Sequence, residues 1–421
     1  MRPSRRRLLL GGLAFGALPL GETAQALNLA PGLQATQELL AEWDGLGWQW
    51  TGSDAEHASA EWFARKLSET GLDVAIERYP FPRVDVAQCT LEIGSHRTPG
   101  LPLFDGGSTD AKGVTGPLAN AGEDGAIAVL EAAPWEPFAE ALERARGDAR
   151  YRAVIVITKG ELAGLAPLDC RSPLSTKPEG KPVIEVGSEA GEWIRAGIAQ
   201  GASAQVIVRF ERAPGEGRNV VSIWSGTNRS LPPIVVVAGR SGWGPCVGER
   251  GGGLIAMIHA ARALAQIAAT RTVILAALSG CELGNMGEAA LLARYPKLPA
   301  EAEGWIELGA NLGARDRALV VSGRNRPWVE LCEGHLQIEE VHRSAFSPDD
   351  AKAAQGGAGD TPAPIRTPVA LQDGVRSLAL RAPATLAYHL PQDQLPSAVD
   401  LGQMLAVAKA FSATLLELAQ V

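Results

Sequence analysis

Arg240, Glu249, Arg250, Cys281, Glu282 and His389 are the residues whose types and spacing could do chemistry together. Two carboxylates and an imidazole are groups that hold zinc, and three ligands plus water make a catalytic centre. Cys246 or Cys281 could add a thiolate to such a set. Two guanidiniums in the same place suit a different outcome. They offer no lone pair to a metal, but each can clamp a carboxylate through paired hydrogen bonds. Cys281 could also serve as a thiol nucleophile with His389 as its base; as a small apolar filler it needs no such partner.

The elements that must position these side chains can be read nearby. Pro233 to Gly253 runs PIVVVAGRSGWGPCVGERGGG. Val235, Val236 and Val237 form a β-branched run of the kind that makes a buried strand. A glycine-rich loop then carries Arg240, Glu249 and Arg250. A second apolar strand, Thr272 to Leu278, ends just before Cys281 and Glu282. Ligands bind at the carboxyl ends of strands in an open α/β sheet. These loops are therefore the expected site.

At 421 residues the chain has room for two domains or one large one. Arg2, Arg5, Arg6 and Arg7 precede the apolar run Leu8 to Leu20, and Ala24-Gln25-Ala26 offers a small-residue cleavage site. That is the layout of a signal peptide over residues 1–26. Ser4-Arg5-Arg6-Arg7-Leu8-Leu9 also fits a twin-arginine signal. Either leader predicts a periplasmic or secreted protein. Without it, 35 basic and 46 acidic residues remain, a formal charge of −11 against −8 for the whole chain. That sign argues against nucleic acid and anionic lipid as partners. No later stretch reads as a membrane-spanning run. The cysteines Cys89, Cys170, Cys246, Cys281 and Cys332 are widely spaced; in an oxidising compartment they allow two bridges and leave one thiol over.

Ser53 and Glu56 form a capping box, which predicts a helix whose apolar face holds Ala60, Phe63 and Leu67 and which stops at Gly71. Leu72 to Pro80 reads as a strand. From about Cys89 to Arg218 the texture changes to short strands with Gly and Pro turns, clearest at 126–130, 153–158, 183–186 and 205–210, with a helix at 189–201. This predicts a smaller β-rich domain over 89–218, inserted into an α/β domain formed by 27–88 and 219–421. After Arg218 strands (219–224, 233–237, 272–278, 305–308, 318–322, 375–380) alternate with helices (253–269, 287–294, 328–341, 399–418), while 347–368 reads as a long loop. Such alternation predicts a mainly parallel sheet covered on both faces.

Five separated segments resemble, in order, the zinc aminopeptidases of metallopeptidase family twenty-eight. They are TGSDAEHASAEWFARKLSETGL, the stretch GVTGPLANAG through GRNVVSIW, PPIVVVAGR with GGGLIAMIHAARALA, RTVILAALSGCELGNMGEAALL, and DGVRSLAL with AYHLPQDQLPSAVD. The second resembles the protease-associated domain inserted in many members. The resemblance implies a three-layer, mainly parallel α/β fold of the phosphorylase/hydrolase-like type. It also implies two zinc ions held by two histidines, a bridging aspartate, a glutamate and a further aspartate, with a second glutamate as general base.

Carried over by position, the first histidine falls on Arg240 and the aspartate two residues on falls on Gly242. The bridging aspartate falls on Glu249 and the asparagine after it on Arg250. The general base falls on Cys281, the ligand glutamate is kept as Glu282, and the next aspartate falls on Gly309 or Ala310. The last histidine is kept as His389. The expected outcome is an ion-pair cluster in place of the metals, with Arg240 and Arg250 neutralising Glu249 and Glu282. The chain is then a binding protein without a cofactor, taking a peptide or protein in the old cleft. The alternative is a hydrolase, either a single-zinc aminopeptidase using Glu249, Glu282 and His389 or a Cys281-dependent amidase.

Overall fold

The computed structural model describes residues 32–134, 139–159, 162–170, 174–175, 180–343, 374–385 and 387–421. The leader and the loop expected at 347–368 lie outside the described residues.

Strands are numbered here in chain order. They are β1 (Asp73–Ile93), β2 (His96–Pro99), β3 (Leu101–Pro102), β4 (Val114–Asn120), β5 (Ile127–Ala132), β6 (Ala153–Thr158) and β7 (Val183–Val186). The rest are β8 (Ser203–Trp224), β9 (Ile234–Gly239), β10 (Val273–Leu278), β11 (Gly304–Leu308), β12 (Val320–Gly323) and β13 (Ser377–Arg381). They join one sheet in the order β12-β13-β11-β9-β10-β8-β4-β5-β6-β7-β3, with β1 on β8 and β2 on β1.

Two parallel runs, β10-β9-β11-β13 and β4-β5-β6-β7, are linked by antiparallel β8. The first run is buried on both faces, as β-branched and apolar strands without alternation require. One face packs against helices Val247–Leu264, Leu401–Gln420, Arg326–Ile338, Leu33–Asp44 and Asp54–Ser68 around Leu254, Ile258, Phe411 and Phe63. The other packs against helix Met286–Arg294 through Val221, Val235, Leu278 and Leu291. The three-layer α/β reading holds.

The second run has cores of its own, around Leu91, Ile155 and Val206 on one face and Ala128, Leu142 and Val154 on the other. Its connection to the first run differs from the short strands expected. The stretches read separately at 205–210 and 219–224 belong to one 22-residue strand, β8. The strand expected to stop at Pro80 runs on to Ile93. Together they form a ribbon paired from Asp73↔Ile223 to Ile93↔Ala204, with a bulge between Val86 and Gln88. Proline normally ends a strand because it has no N–H for the ladder. Pro80 and Pro82 are tolerated because that part of β1 has a neighbour on one side only. The expected boundaries at 88/89 and 218/219 therefore fall inside continuous strands.

A second difference concerns the glycines at 251–253. The expected loop is helical, and the helix begins at Val247 instead of Gly253. These glycines serve close packing: a Cβ at Gly252 would lie 1.7 Å from the Leu312 carbonyl oxygen, and one at Gly251 would lie 2.6 Å from Leu40. The helix Leu401–Gln420 is long and apolar enough, by length and composition, to cross a membrane, which the sequence reading missed. Its apolar residues, among them Met404, Phe411 and Leu415, are buried in the core against the Val247–Leu264 helix. All five cysteines are free thiols, against the two bridges the sequence allows.

Candidate functional site

The site lies at the carboxyl ends of β9 and β10, as the strand pattern predicts, but the expected group of four charges is split in two. Arg240 follows β9 directly, and its side chain is wholly buried. Its guanidinium turns to the Asp54–Ser68 helix, not to Glu249 or Glu282. It pairs with the Glu56 carboxylate and donates to the Ser59 hydroxyl, the Arg218 carbonyl and, at 2.7 Å, the Glu56 carbonyl. Ser53 caps that helix by accepting from the Glu56 amide at 3.1 Å. The return half of the capping box is shifted by one residue, with Glu56 accepting from the Gly52 amide at 3.1 Å. Glu56 is thus both a cap and the counter-charge of Arg240.

Glu249 and Arg250 stand in the first turn of the Val247–Leu264 helix, not in a loop. An Arg250 Nη2 lies 2.6 Å from Glu249 Oε1, and both side chains are buried. Arg250 Nε also donates to the Ser241 carbonyl at 3.0 Å. Ser241 links the two halves of the site, because its hydroxyl donates to Glu282 Oε2 at 2.7 Å. The other carboxylate oxygen of Glu282 accepts from the Thr51 amide at 2.9 Å. Burial raises the Glu282 pKa, and the bonds from Thr51 and Ser241 offset part of that rise.

His389 has a left-handed backbone, φ 61°, and is buried. Its Nδ1 lies 2.6 Å from the Pro167 carbonyl, which can only accept, so Nδ1 carries the proton. Nε2 then faces Glu249 Oε1 at 3.6 Å and Asp169 Oδ1 at 3.7 Å. Asp169 also accepts from the Trp243 indole at 2.9 Å, and Trp243 makes edge contacts with Trp50 and Phe104. Pro167 and Asp169 belong to the 89–218 segment, so that segment closes one side of the site.

Asp393 accepts from the amides of Gly248 and Glu249 at 2.7 and 3.1 Å, holding the start of the Glu249 helix. Its carboxylate serves as a helix cap supplied from far along the chain. Burial first, and then the charge of Glu249, push its pKa up to about 7. Cys281 is partly exposed, with Sγ 3.7 Å from the Leu278 carbonyl. A Cβ at Gly239 would meet Arg250 Nη1 at 2.8 Å and Cys281 Sγ at 3.0 Å, which places the thiol beside the guanidinium. Cys246 is buried at the helix start in a left-handed conformation.

Sequence reasoning missed Thr51, Ser59, Asp169 and Ser241, and it read Glu56 only as a cap. None carries a local signal; the fold brings them in from separate segments. His259 is wholly buried near Thr36, and burial lowers its pKa to about 3. Elsewhere, His57 donates to the Glu216 carbonyl at 2.8 Å, His335 meets Glu417 at 3.0 Å, and His96 stacks on Trp193.

Solved structures settle the fold. BSAP, a zinc aminopeptidase from Bacillus subtilis, superposes with a TM-score of 0.70 at 18% identity, covering 92% of this chain and 95% of its own. The chain has the fold of the zinc aminopeptidases. An aminopeptidase of this fold from Aneurinibacillus sp. strain AM-1 gives 0.66 at 15% identity, with 93% and 95% covered. A peptidase M28 precursor from Shewanella amazonensis SB2B gives 0.68 at 15% identity, with 95% and 96% covered. No family model matches the sequence, and no curated protein matches it.

The aminopeptidase fold raises the question of zinc, and the donor set does not fit it. Among the described residues no three His, Cys, Asp or Glu side chains are grouped to hold a metal ion. A guanidinium sits against Glu249, a second one occupies the position after β9, and both Glu282 oxygens accept hydrogen bonds from protein groups.

Proposed function

We propose that this is an exported protein of aminopeptidase fold that binds a peptide or protein at the strand-end site without hydrolysing it. The observation that carries this reading is the buried Arg250–Glu249 pair at 2.6 Å. A permanent cation in contact with that carboxylate opposes a dication at the same oxygen. Cys281 stands where the resemblance expects a general base, and its thiol lies beside the Arg250 guanidinium. The aromatic wall of Trp50, Phe104 and Trp243, beside Asp169 and His389, suits an apolar side chain with a polar group alongside. The export half of the reading rests on Arg2 to Ala26.

The test is metal analysis of purified protein together with zinc titration, an aminopeptidase assay on aminoacyl substrates, and a peptide-binding screen read by tryptophan fluorescence. The expected result is substoichiometric zinc, no turnover, unchanged stability in chelator, and binding of at least one peptide that Trp243→Ala weakens. Stoichiometric zinc that is lost in His389→Ala, with turnover lost alongside, overturns the reading. Cell fractionation with N-terminal sequencing tests export; an intact Met1 in the cytoplasm refutes that half.

A further inference from the structure

The stretch 164–170 is bonded on two sides. On one side it is tied to the rest of the 89–218 segment. The Gly164 carbonyl accepts from the Ser188 amide at 3.1 Å, and the Ala166 amide donates to the Thr158 hydroxyl at 3.2 Å. The Leu168 amide donates to the Glu185 carboxyl at 2.8 Å. On the other side it is tied to the strand-end site. The Pro167 carbonyl accepts from His389 at 2.6 Å, Asp169 accepts from Trp243 at 2.9 Å, and the Cys170 amide donates to the Glu282 carbonyl at 2.9 Å. The stretch is thus a strap across the side of the site that holds His389. Of the three groups that tie it to the segment, only the Glu185 carboxyl changes charge at ordinary pH.

Glu185 stands in β7 and is 1% exposed. The strands paired with β7 bring only Leu101, Pro102 and the residues from Val154 to Ile157 alongside it. The charges that act on it come from Asp105, after β3, and from Asp169 in the strap, both of like sign. The thiols of Cys89 and Cys170 face it as well. Arg146 is engaged with Asp105 at 3.4 Å, and Arg212 of β8 donates to the Phe104 carbonyl. Among the described residues no lysine or arginine is in ion-pair contact with Glu185. A carboxyl buried in this way is stable as the neutral acid, whose carbonyl oxygen takes the Leu168 amide. Once ionised it stands without a cation, beside Asp169.

We propose that Glu185 is a proton-controlled latch: as the neutral acid it holds the strap against His389, and on losing its proton to solvent it lets the strap lift and admit a ligand. Admission rests on the reading of this site as the place where a ligand enters; the latch does not depend on what that ligand is. Burial pushes the Glu185 pKa up to about 8, so the closed strap holds the proton more tightly than the open one. Closure is then strongest below the ordinary carboxylate range and weakens as pH rises toward about 8.

Hydrogen–deuterium exchange of the purified protein, read on peptides spanning 162–170, tests this against Glu185→Gln, whose side-chain oxygen accepts from Leu168 at every pH. The parent-to-variant ratio cancels the pH dependence of the exchange chemistry itself. It should rise at least about tenfold from pH 6 to pH 8 on the strap and stay constant on β9. A ratio on the strap that does not change with pH overturns the proposal. So does an equal rise on β9, which means that the whole molecule loosens. If Glu185→Gln does not fold, Asp105→Asn decides: with one like charge gone, the strap's rise relative to β9 should shrink, and an unchanged rise overturns the latch. The association rate of a bound peptide, as the same parent-to-variant ratio, should rise with strap exchange; a flat ratio overturns admission through the strap. Strap exchange that behaves as described while no peptide binds at any pH upholds the latch and strikes the peptide reading alone.

Discussion

Arg240 and Glu56 lie 184 residues apart in sequence and form an ion pair from which solvent is wholly excluded. The strand that ends at Gly239 is thereby fixed to the first turn of the Asp54–Ser68 helix, the turn that also places Thr51 against Glu282. Removing Glu56 leaves a buried guanidinium without its counter-charge. Glu56→Ala is expected to cost about 3–5 kcal/mol, the usual penalty for breaking a buried pair from one side. Replacing both, as Glu56→Leu with Arg240→Met, should recover most of that loss. Denaturant midpoints of the single and double variants measure it, and a double variant as unstable as Glu56→Ala would sink the idea.

Gly252 and Gly334 give a matched pair of tests. Both are helical, but a Cβ at Gly252 would meet the Leu312 carbonyl at 1.7 Å, whereas nothing lies within 4 Å of one at Gly334. Gly252→Ala should therefore destabilise by about 1–3 kcal/mol or more through overpacking. Gly334→Ala, on the exposed face of the Arg326–Ile338 helix, should stabilise by about 0.5–1 kcal/mol. Thermal melts separate the two signs.

Stability should depend on pH in a way set by buried titrating groups. Burial pushes the Glu185 pKa up to about 8, with the Leu168 amide opposing the rise, and Asp393 is held up at about 7. Each then binds its proton more tightly folded than unfolded. Their stabilising contribution is complete below the ordinary carboxylate range and is lost as pH rises through about 7 and about 8. His259, held down at about 3 by burial, has the opposite sign: its contribution is complete above its ordinary value and is lost as pH falls toward about 3. Glu185→Gln should raise the melting temperature at about pH 9 relative to the parent and change it little at about pH 5, where both side chains are neutral. An unchanged pH slope in that variant would show that Glu185 does not titrate as described.

The thiols differ enough in exposure to be counted. Cys281 is partly exposed, and Cys89, Cys170, Cys246 and Cys332 are buried, with burial raising the pKa of each of those four. A thiol reagent should modify one cysteine in the native protein and five after unfolding. Peptide mapping should place the native label on Cys281. Labelling that instead falls on Cys246 would mean that the helix start opens in solution.

Particular residues show why the fold could be read from the sequence and part of the site could not. Val235 to Val237, Thr272 to Leu278 and the closing helix announce themselves because burial imposes a pattern on neighbouring residues. The pattern around Pro80 and Gly215 misleads, since a strand with one open side tolerates residues that a central strand rejects. The Gly251–Gly253 run looks like a turn locally; only the approach of Leu40 and Leu312 makes it helical packing. Polar partnerships fared worst. Glu249 and Arg250 are adjacent, and their pairing could be anticipated, but nothing near Arg240 points to Glu56.

The paired β1–β8 ribbon has a mechanical meaning. A segment joined by two separate linkers can pivot on them at little energetic cost. One joined by a twisted, hydrogen-bonded ladder behaves as a leaf spring: it bends as a unit and resists rotation about its long axis. Displacing Pro167 and Asp169 from His389 by moving the whole 89–218 segment means flexing that spring, so access to the site is governed by the stiffness of a sheet.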